Sequence, residues 1–232
     1  MPIGPQNSER QIPKGRLLIV CAHPDDESIF FGGLIMSRPP NTVDLICVTD
    51  ANEHNSGAQR MLDLQEACRR LGVASVSCLN FVDDPVFHLD TEDLGEQLCS
   101  VFAQQDYNAV FTHSPHGEYG HLNHMDVSFT VYKTLGDKIP VFSTSTLSFP
   151  EVEIRLTPEQ YLRKCEILTD VYGDEINDSW KDICFGPYEF FESLEWGEVE
   201  ALYRLCTEGV EPEEDQIPRY RHILPFLKKG LI

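Results

Sequence analysis

Leu17-Leu18-Ile19-Val20-Cys21-Ala22-His23-Pro24-Asp25-Asp26-Glu27-Ser28 is the stretch whose reading decides the fold. The apolar run Leu17–Ala22 reads as a buried strand. It stops abruptly at a histidine followed by three acids, which sets metal-type ligands at the strand's C-terminal tip. In open α/β sheets that tip is where ligands bind. A second such segment lies downstream, His113-Ser114-Pro115-His116-Gly117-Glu118-Tyr119-Gly120-His121-Leu122-Asn123-His124, and the two hold five of the eight histidines.

Outward from this stretch, strand-like runs recur at Leu17–Ala22, Val43–Thr49, Ser75–Phe81, Ala109–His113 and Val141–Thr146. Helix-like stretches over Ser28–Met36, Gln59–Leu71, Glu92–Gln104 and His124–Leu135 separate them, and Gly72 stops the second. This alternation predicts a single α/β domain with a mostly parallel sheet covered on both faces. Residues 1–14 read as a flexible lead-in and 15–232 as the domain, with a motif-bearing core over 15–150 and a C-terminal extension over 151–232. In that extension Thr157-Pro158-Glu159 opens a helix running to about Val171. The tail Tyr220–Ile232 reads as a packed element or a subunit contact, so a homo-oligomer stays open.

A chain of 232 residues, 41% hydrophobic and 24% charged, has the make-up of an ordinary soluble globular protein. Its 38 acidic against 18 basic residues give a formal charge of -20. That balance argues against a nucleic-acid partner, which requires clustered Lys and Arg, and equally against an anionic membrane surface. The eight cysteines are scattered without a Cys-x-x-Cys pair, as expected of free thiols in a reducing compartment. The polar, proline-bearing stretch Met1–Arg16 has no signal-peptide core, and no apolar run approaches the ~18 residues of a membrane span. The expected location is the cytoplasm.

A catalytic zinc site needs three protein ligands and one open position for water. His23, Asp26 and one downstream histidine would supply the three. Asp25 and Asp26 are adjacent on a strand-to-helix turn, so their side chains should diverge, one onto the metal and the other toward its water. A hydrolase needs both a Lewis acid and a general base. Glu27 begins the helix, where the dipole favours an acid, and is placed to orient a ligand histidine. His121 and His124, three apart, would share a helical face. His113 and His116 read as strand-end packing or backbone hydrogen-bonding residues.

Ala22-His23-Pro24-Asp25-Asp26-Glu27 followed by His116-Gly117-Glu118-Tyr119-Gly120-His121-x-x-His124 resembles the LmbE-like, or PIG-L, family of zinc-dependent N-deacetylases. The resemblance covers residues 15–150. It implies a Rossmann-like three-layer fold and hydrolysis of an N-acetyl group from a glucosamine-type sugar. It also implies that His23, Asp26 and His124 bind Zn2+, with Asp25 as the base that deprotonates the zinc-bound water. His121 would stabilise the tetrahedral intermediate as a cationic imidazole or assist the leaving amine, and Tyr119 would donate to the oxyanion.

The family's Arg-x-x-Glu reads here Arg60-Met61-Leu62-Asp63, making Arg60 a sugar-binding residue and Asp63 a shortened partner behind the ligands. Its Asp-Gly turn appears as Asp83-Asp84, with Asp83 a sugar-hydroxyl acceptor. The implied partner is a small amino-sugar molecule: an antibiotic intermediate, a sugar–thiol precursor or a sugar nucleotide. A His2Asp set also suits Fe2+ and other divalent ions. Two rivals are an amidase cutting a larger N-acyl group or thiol conjugate, and a metal-containing binding module without turnover. A nucleotide-binding reading is disfavoured, since acids rather than a Gly-x-Gly-x-x-Gly loop follow the first strand.

Overall fold

A computed structural model describes residues 12–52, 56–173, 176, 186–213 and 215–227. Most of the expected lead-in, residues 1–11, and the last five residues of the tail lie outside the described residues.

The five strands legible in the sequence form β1 (Leu17–Cys21), β2 (Val43–Thr49), β3 (Ser75–Phe81), β4 (Ala109–Thr112) and β5 (Val141–Thr144). All pair in parallel. Two further strands, β6 (Val152–Arg155) and β7 (Tyr188–Glu192), join antiparallel, giving the order β3-β2-β1-β4-β5-β7-β6. The fold is thus α/β around one mostly parallel sheet, as expected.

β1 is buried at every position, so its two alternating sets of side chains feed two cores. Leu17, Ile19 and Cys21 join Phe31, Leu34, Leu64, Ile167 and Tyr172 on one face. Leu18, Val20 and Ala22 join Leu94, Leu98, Val127, Val131 and Leu202 on the other. The first core is roofed by α1 (Asp26–Ile29), α2 (Gly32–Met36), α3 (Gly57–Leu71) and α7 (Pro158–Asp170). The second is roofed by α4 (Thr91–Phe102), α6 (Leu122–Leu135) and α8 (Trp196–Glu208). Tyr220 and Ile223 pack into the second core, as does the start of the short α9 (Leu224–Leu227), so this part of the tail is a packed element.

Three features differ from the sequence reading. The single helix expected over Ser28–Met36 is two short ones, because Glu189 of β7 accepts the Gly33 and Leu34 amides and starts a new helix there. Phe31, at the break, stacks on Phe191 at 5.9 Å. His121 is not on the helix with His124: it is extended (φ -73°, ψ 122°) and precedes α6. The extension contributes β6, β7 and α8, none of which its loosened pattern predicts. Elsewhere local signals hold, with Gly72 left-handed after α3 and a reciprocal Thr157–Gln160 capping box opening α7.

The chain leaves β1 toward β2 and β3, then crosses back to β4 on the other side. The carboxyl ends of β1 and β4 therefore flank the crevice where strand order reverses, the usual ligand position in such sheets. Both motif segments emerge there.

Candidate metal centre

His23 leaves the tip of β1, and the turn behind it folds back so that Asp26 Oδ2 accepts the His23 amide at 2.8 Å. Asp25 makes this turn with φ +110°, a conformation costly for a residue with a side chain. It does not cap α1 with its carboxylate. Instead Glu27 accepts the Asp25 amide at 3.0 Å, while Ser28 Oγ (2.5 Å) and Tyr172 Oη (2.9 Å) donate to its other oxygen. Glu27 therefore secures the Asp25 turn, and among the described residues no histidine is bonded to it, contrary to its expected placement. Burial pushes its carboxyl up to about 7, against those hydrogen bonds.

The downstream segment supplies α5 (Gly117–Gly120), a single kinked turn in which Gly117 (φ +69°) and Glu118 (φ +52°) are both left-handed. Glu118 is thereby turned inward and buried. Its Oε1 takes the Ser114 amide (2.9 Å), His113 Nδ1 (3.2 Å) and Thr144 Oγ1, and its Oε2 takes His124 Nδ1 (2.7 Å). The sequence reading assigned Glu118 nothing; its place six residues before a candidate ligand was the available signal.

These contacts turn His124 Nε2 into the crevice, 3.2 Å from His23 Nδ1 and 3.4 Å from Asp26 Oδ1. His23 Nδ1 lies 3.6 Å from Asp26 Oδ2. Ligands about 2.0–2.1 Å from a tetrahedral zinc stand about 3.3 Å apart, so two nitrogens and a carboxylate at these separations fit that ion. His113 and His121 are also near, and the candidate ligand atoms form two overlapping groups, His23–His121–His124 and Asp26–His113–His124, each within 4.8 Å. His113 Nε2, however, already accepts the Ala22 amide at 3.0 Å, which leaves Nδ1 as the protonated nitrogen. It is the backbone-bonding histidine expected. His116 is buried beside Tyr220.

The two adjacent acids are pushed apart. Burial, then the Asp26 charge, raise Asp25 well above the usual carboxylate range, with Arg60 opposing. Burial acts upward on Asp26 as well, but the His124 and His113 rings outweigh it and hold Asp26 well below that range. Such divergence separates an anionic ligand from a proton-accepting group. Arg60 reaches from α3 to Asp25 Oδ2 (3.2 Å), the Pro24 carbonyl (2.8 Å) and Asp83 Oδ2 (3.8 Å). Asp83 Oδ1 stands 3.2 Å from His23 Nε2. Asp63 accepts from Gln59 on its own helix, and no bond among the described residues joins it to the cluster.

His121 and Tyr119 complete the wall: the His121 ring is 4.6 Å from both His23 and His124, and 5.9 Å from Tyr119. Burial first, then the His124 and His23 charges, push His121 down to about 3. Burial, with the neighbouring rings adding to it, thus favours the neutral imidazole over the cationic one expected.

The fold and this cluster define an α/β protein with a candidate mononuclear metal centre at the switch point of its sheet. The chain belongs to the PIG-L family, described as GlcNAc-PI de-N-acetylase, whose model matches residues 18–135, half of the sequence. It is 30% identical over 123 residues to the N-acetylglucosaminyl-phosphatidylinositol de-N-acetylase of Bos taurus, covering 50% of this chain and 49% of that one. Over 142 residues it is 26% identical to the 1D-myo-inositol 2-acetamido-2-deoxy-alpha-D-glucopyranoside deacetylase of Corynebacterium diphtheriae, covering 47% and 48%. The chain thus spans about half the length of these curated relatives. Among solved structures, the N,N'-diacetylchitobiose deacetylase of Pyrococcus horikoshii shares the fold, with a TM-score of 0.63, 18% identity and coverage of 78% and 84%. No helix among the described residues is long and apolar enough to cross a membrane.

Proposed function

We propose that this protein is a divalent-metal-dependent N-deacetylase, hydrolysing the acetamide of a small N-acetylglucosamine-containing molecule in the cytoplasm. The observation that carries the reading is the convergence of His23 Nδ1, His124 Nε2 and the Asp26 carboxylate within 3.2–3.6 Å, with Asp25 beside them and turned to Arg60. Membership of a de-N-acetylase family and the deacetylase names of the relatives support the bond chosen.

His23, Asp26 and His124 hold the ion, zinc being the one their separations suit. When bound, zinc supplies Lewis acidity toward the amide oxygen and acidifies a water at neutral pH. Asp25 takes the proton of the attacking water, since a carboxyl raised by burial is nearer the pKa a base needs at pH 7. Negative charge then grows on the carbonyl oxygen. His121, neutral, meets it as an N–H donor together with the Tyr119 hydroxyl. Asp25 returns its proton to the departing amine, whose nitrogen cannot leave as an anion. Arg60 and Asp83, joined at 3.8 Å, offer a donor and an acceptor to sugar hydroxyls at the rim. Asp63, held by Gln59, has no part in this scheme.

The test is acetate release from N-acetylglucosamine conjugates by metal-analysed protein, with and without chelator. Chelator-sensitive release is the expected result. One bound metal per chain without acetate from any conjugate would overturn the deacetylase and favour an amidase for larger acyl groups or a binding module. His124→Ala should abolish stoichiometric metal; a variant that keeps it removes His124 from the ligand set.

A further inference from the structure

Glu118 is a single buried carboxylate that collects four donors from three parts of the fold. Ser114 and His113 follow β4, His124 stands on α6, and Thr144 ends β5. Each of its oxygens receives one imidazole Nδ1, and those two rings stack at 3.8 Å with 19° between their planes. A histidine's free nitrogen is decided by the bond its other nitrogen makes. With both Nδ1 atoms tied to Glu118, each ring in its neutral form keeps its proton there and leaves Nε2 as the acceptor on the crevice side. The two are then put to different uses: His113 Nε2 takes the Ala22 amide next to His23, and His124 Nε2 faces Asp26 and His23.

We propose that Glu118 is a positioning residue that fixes the tautomers of His113 and His124 together, so that one locks the backbone entering the His23–Asp26 turn while the other presents a ready lone pair to the metal. This rests on the metal-centre reading above and goes beyond it, because Glu118 touches neither the ion's position nor substrate. The left-handed conformation at Glu118 is the local means: it turns the side chain inward from a loop that otherwise runs past the crevice. An uncharged amide cannot replace it. Glutamine has one acceptor oxygen, so one of the two rings loses its partner or turns over.

The experiment uses the full chain. Ring nitrogen spectra of 15N-histidine-labelled, metal-free protein report each tautomer directly, and zinc affinity is read by competition with a chelator. The expected wild-type spectrum has His113 and His124 both protonated at Nδ1. Glu118→Gln is expected to change the tautomer or lose the Nδ1 bond at one of the two rings. It should also weaken zinc by about 10- to 100-fold, the usual effect of losing a carboxylate behind a ligand histidine. Unchanged tautomers with unchanged zinc affinity in Glu118→Gln would overturn the proposal. So would a wild-type spectrum with either ring protonated at Nε2, which requires no variant and stands even if Glu118→Gln fails to fold. Wild-type protein that binds no zinc would instead overturn the metal-centre reading, while the wild-type tautomers still decide the role of Glu118.

Discussion

His23 gives the sharpest quantitative prediction, because its proton and the metal compete for the same nitrogen. Burial works to lower its pKa, but the Asp26 and Asp83 carboxylates outweigh burial and lift it to about 9 from an ordinary 6.5. With Nε2 facing Asp83 at 3.2 Å, the proton that must leave for a metal is the one on Nδ1. Below pH 9 each unit of acidity should therefore reduce apparent zinc affinity about tenfold, or about 100-fold between pH 9 and pH 7. Above pH 9 the dependence should flatten.

The same shift bears on stability in metal-free protein. A histidine whose pKa is higher folded than unfolded stabilises the fold fully below 6.5, and that contribution is lost as pH rises through 9. The difference of 2.5 units is worth about 3 kcal/mol. Asp83→Asn removes one of the two lifting carboxylates, so its steep region should end at a lower pH. The assay is chelator-buffered zinc titration of both proteins from pH 6.5 to 9.5, with urea melts of the stripped forms as the companion measurement. Zinc affinity that is flat between pH 7 and 9 would refute the reasoning, as would stripped Asp83→Asn tracking the wild type at every pH.

Further expectations are open to simple measurement. Asp25→Asn should keep stoichiometric metal and lose about 10²–10⁴ in turnover, the usual worth of a general base; unchanged turnover would remove Asp25 from that role. Tyr172→Phe takes a hydroxyl from the buried Glu27 carboxylate and should cost about 1–3 kcal/mol in denaturant melts, whereas an unaltered midpoint would mean the bond contributes nothing. Thr157→Ala breaks the capping box of α7 and should cost about 1 kcal/mol, with a loss below a few tenths counting against the cap.

β1, β2, β4 and β5 were legible because each is a short, largely apolar run, and burial on both faces demands such runs, whereas β3 lies half-exposed at the sheet edge. β7 was not legible. Tyr188-Glu189-Phe190-Phe191-Glu192 carries two acids that are both buried in the fold. Glu189 is paired with Lys164 and caps the start of α2, and Glu192 is held by Tyr220 and Ser148. Those partners lie tens of residues away in sequence, so a local pattern reads the acids as solvent-facing. Glu118 escaped for a related reason: Thr144 reaches it from another strand, and His113 and His124, though near in the chain, close on it only through the left-handed turn.

By itself the sequence determined where ligand-bearing turns fall. A buried strand does not hold an unpaired charge in its middle, so the cluster of His23, Asp25 and Asp26 emerges at its end, and a second strand end carried the other histidines. Only the tertiary structure decided how those residues divide their work. Which nitrogen of His113 or His124 faces the crevice, whether His121 is charged, and whether Glu27 serves a ring or a backbone amide all depend on partners brought from distant strands and helices. Tautomer, charge and orientation are properties of contacts, and the contacts exist only once β1, β4 and β5 lie side by side.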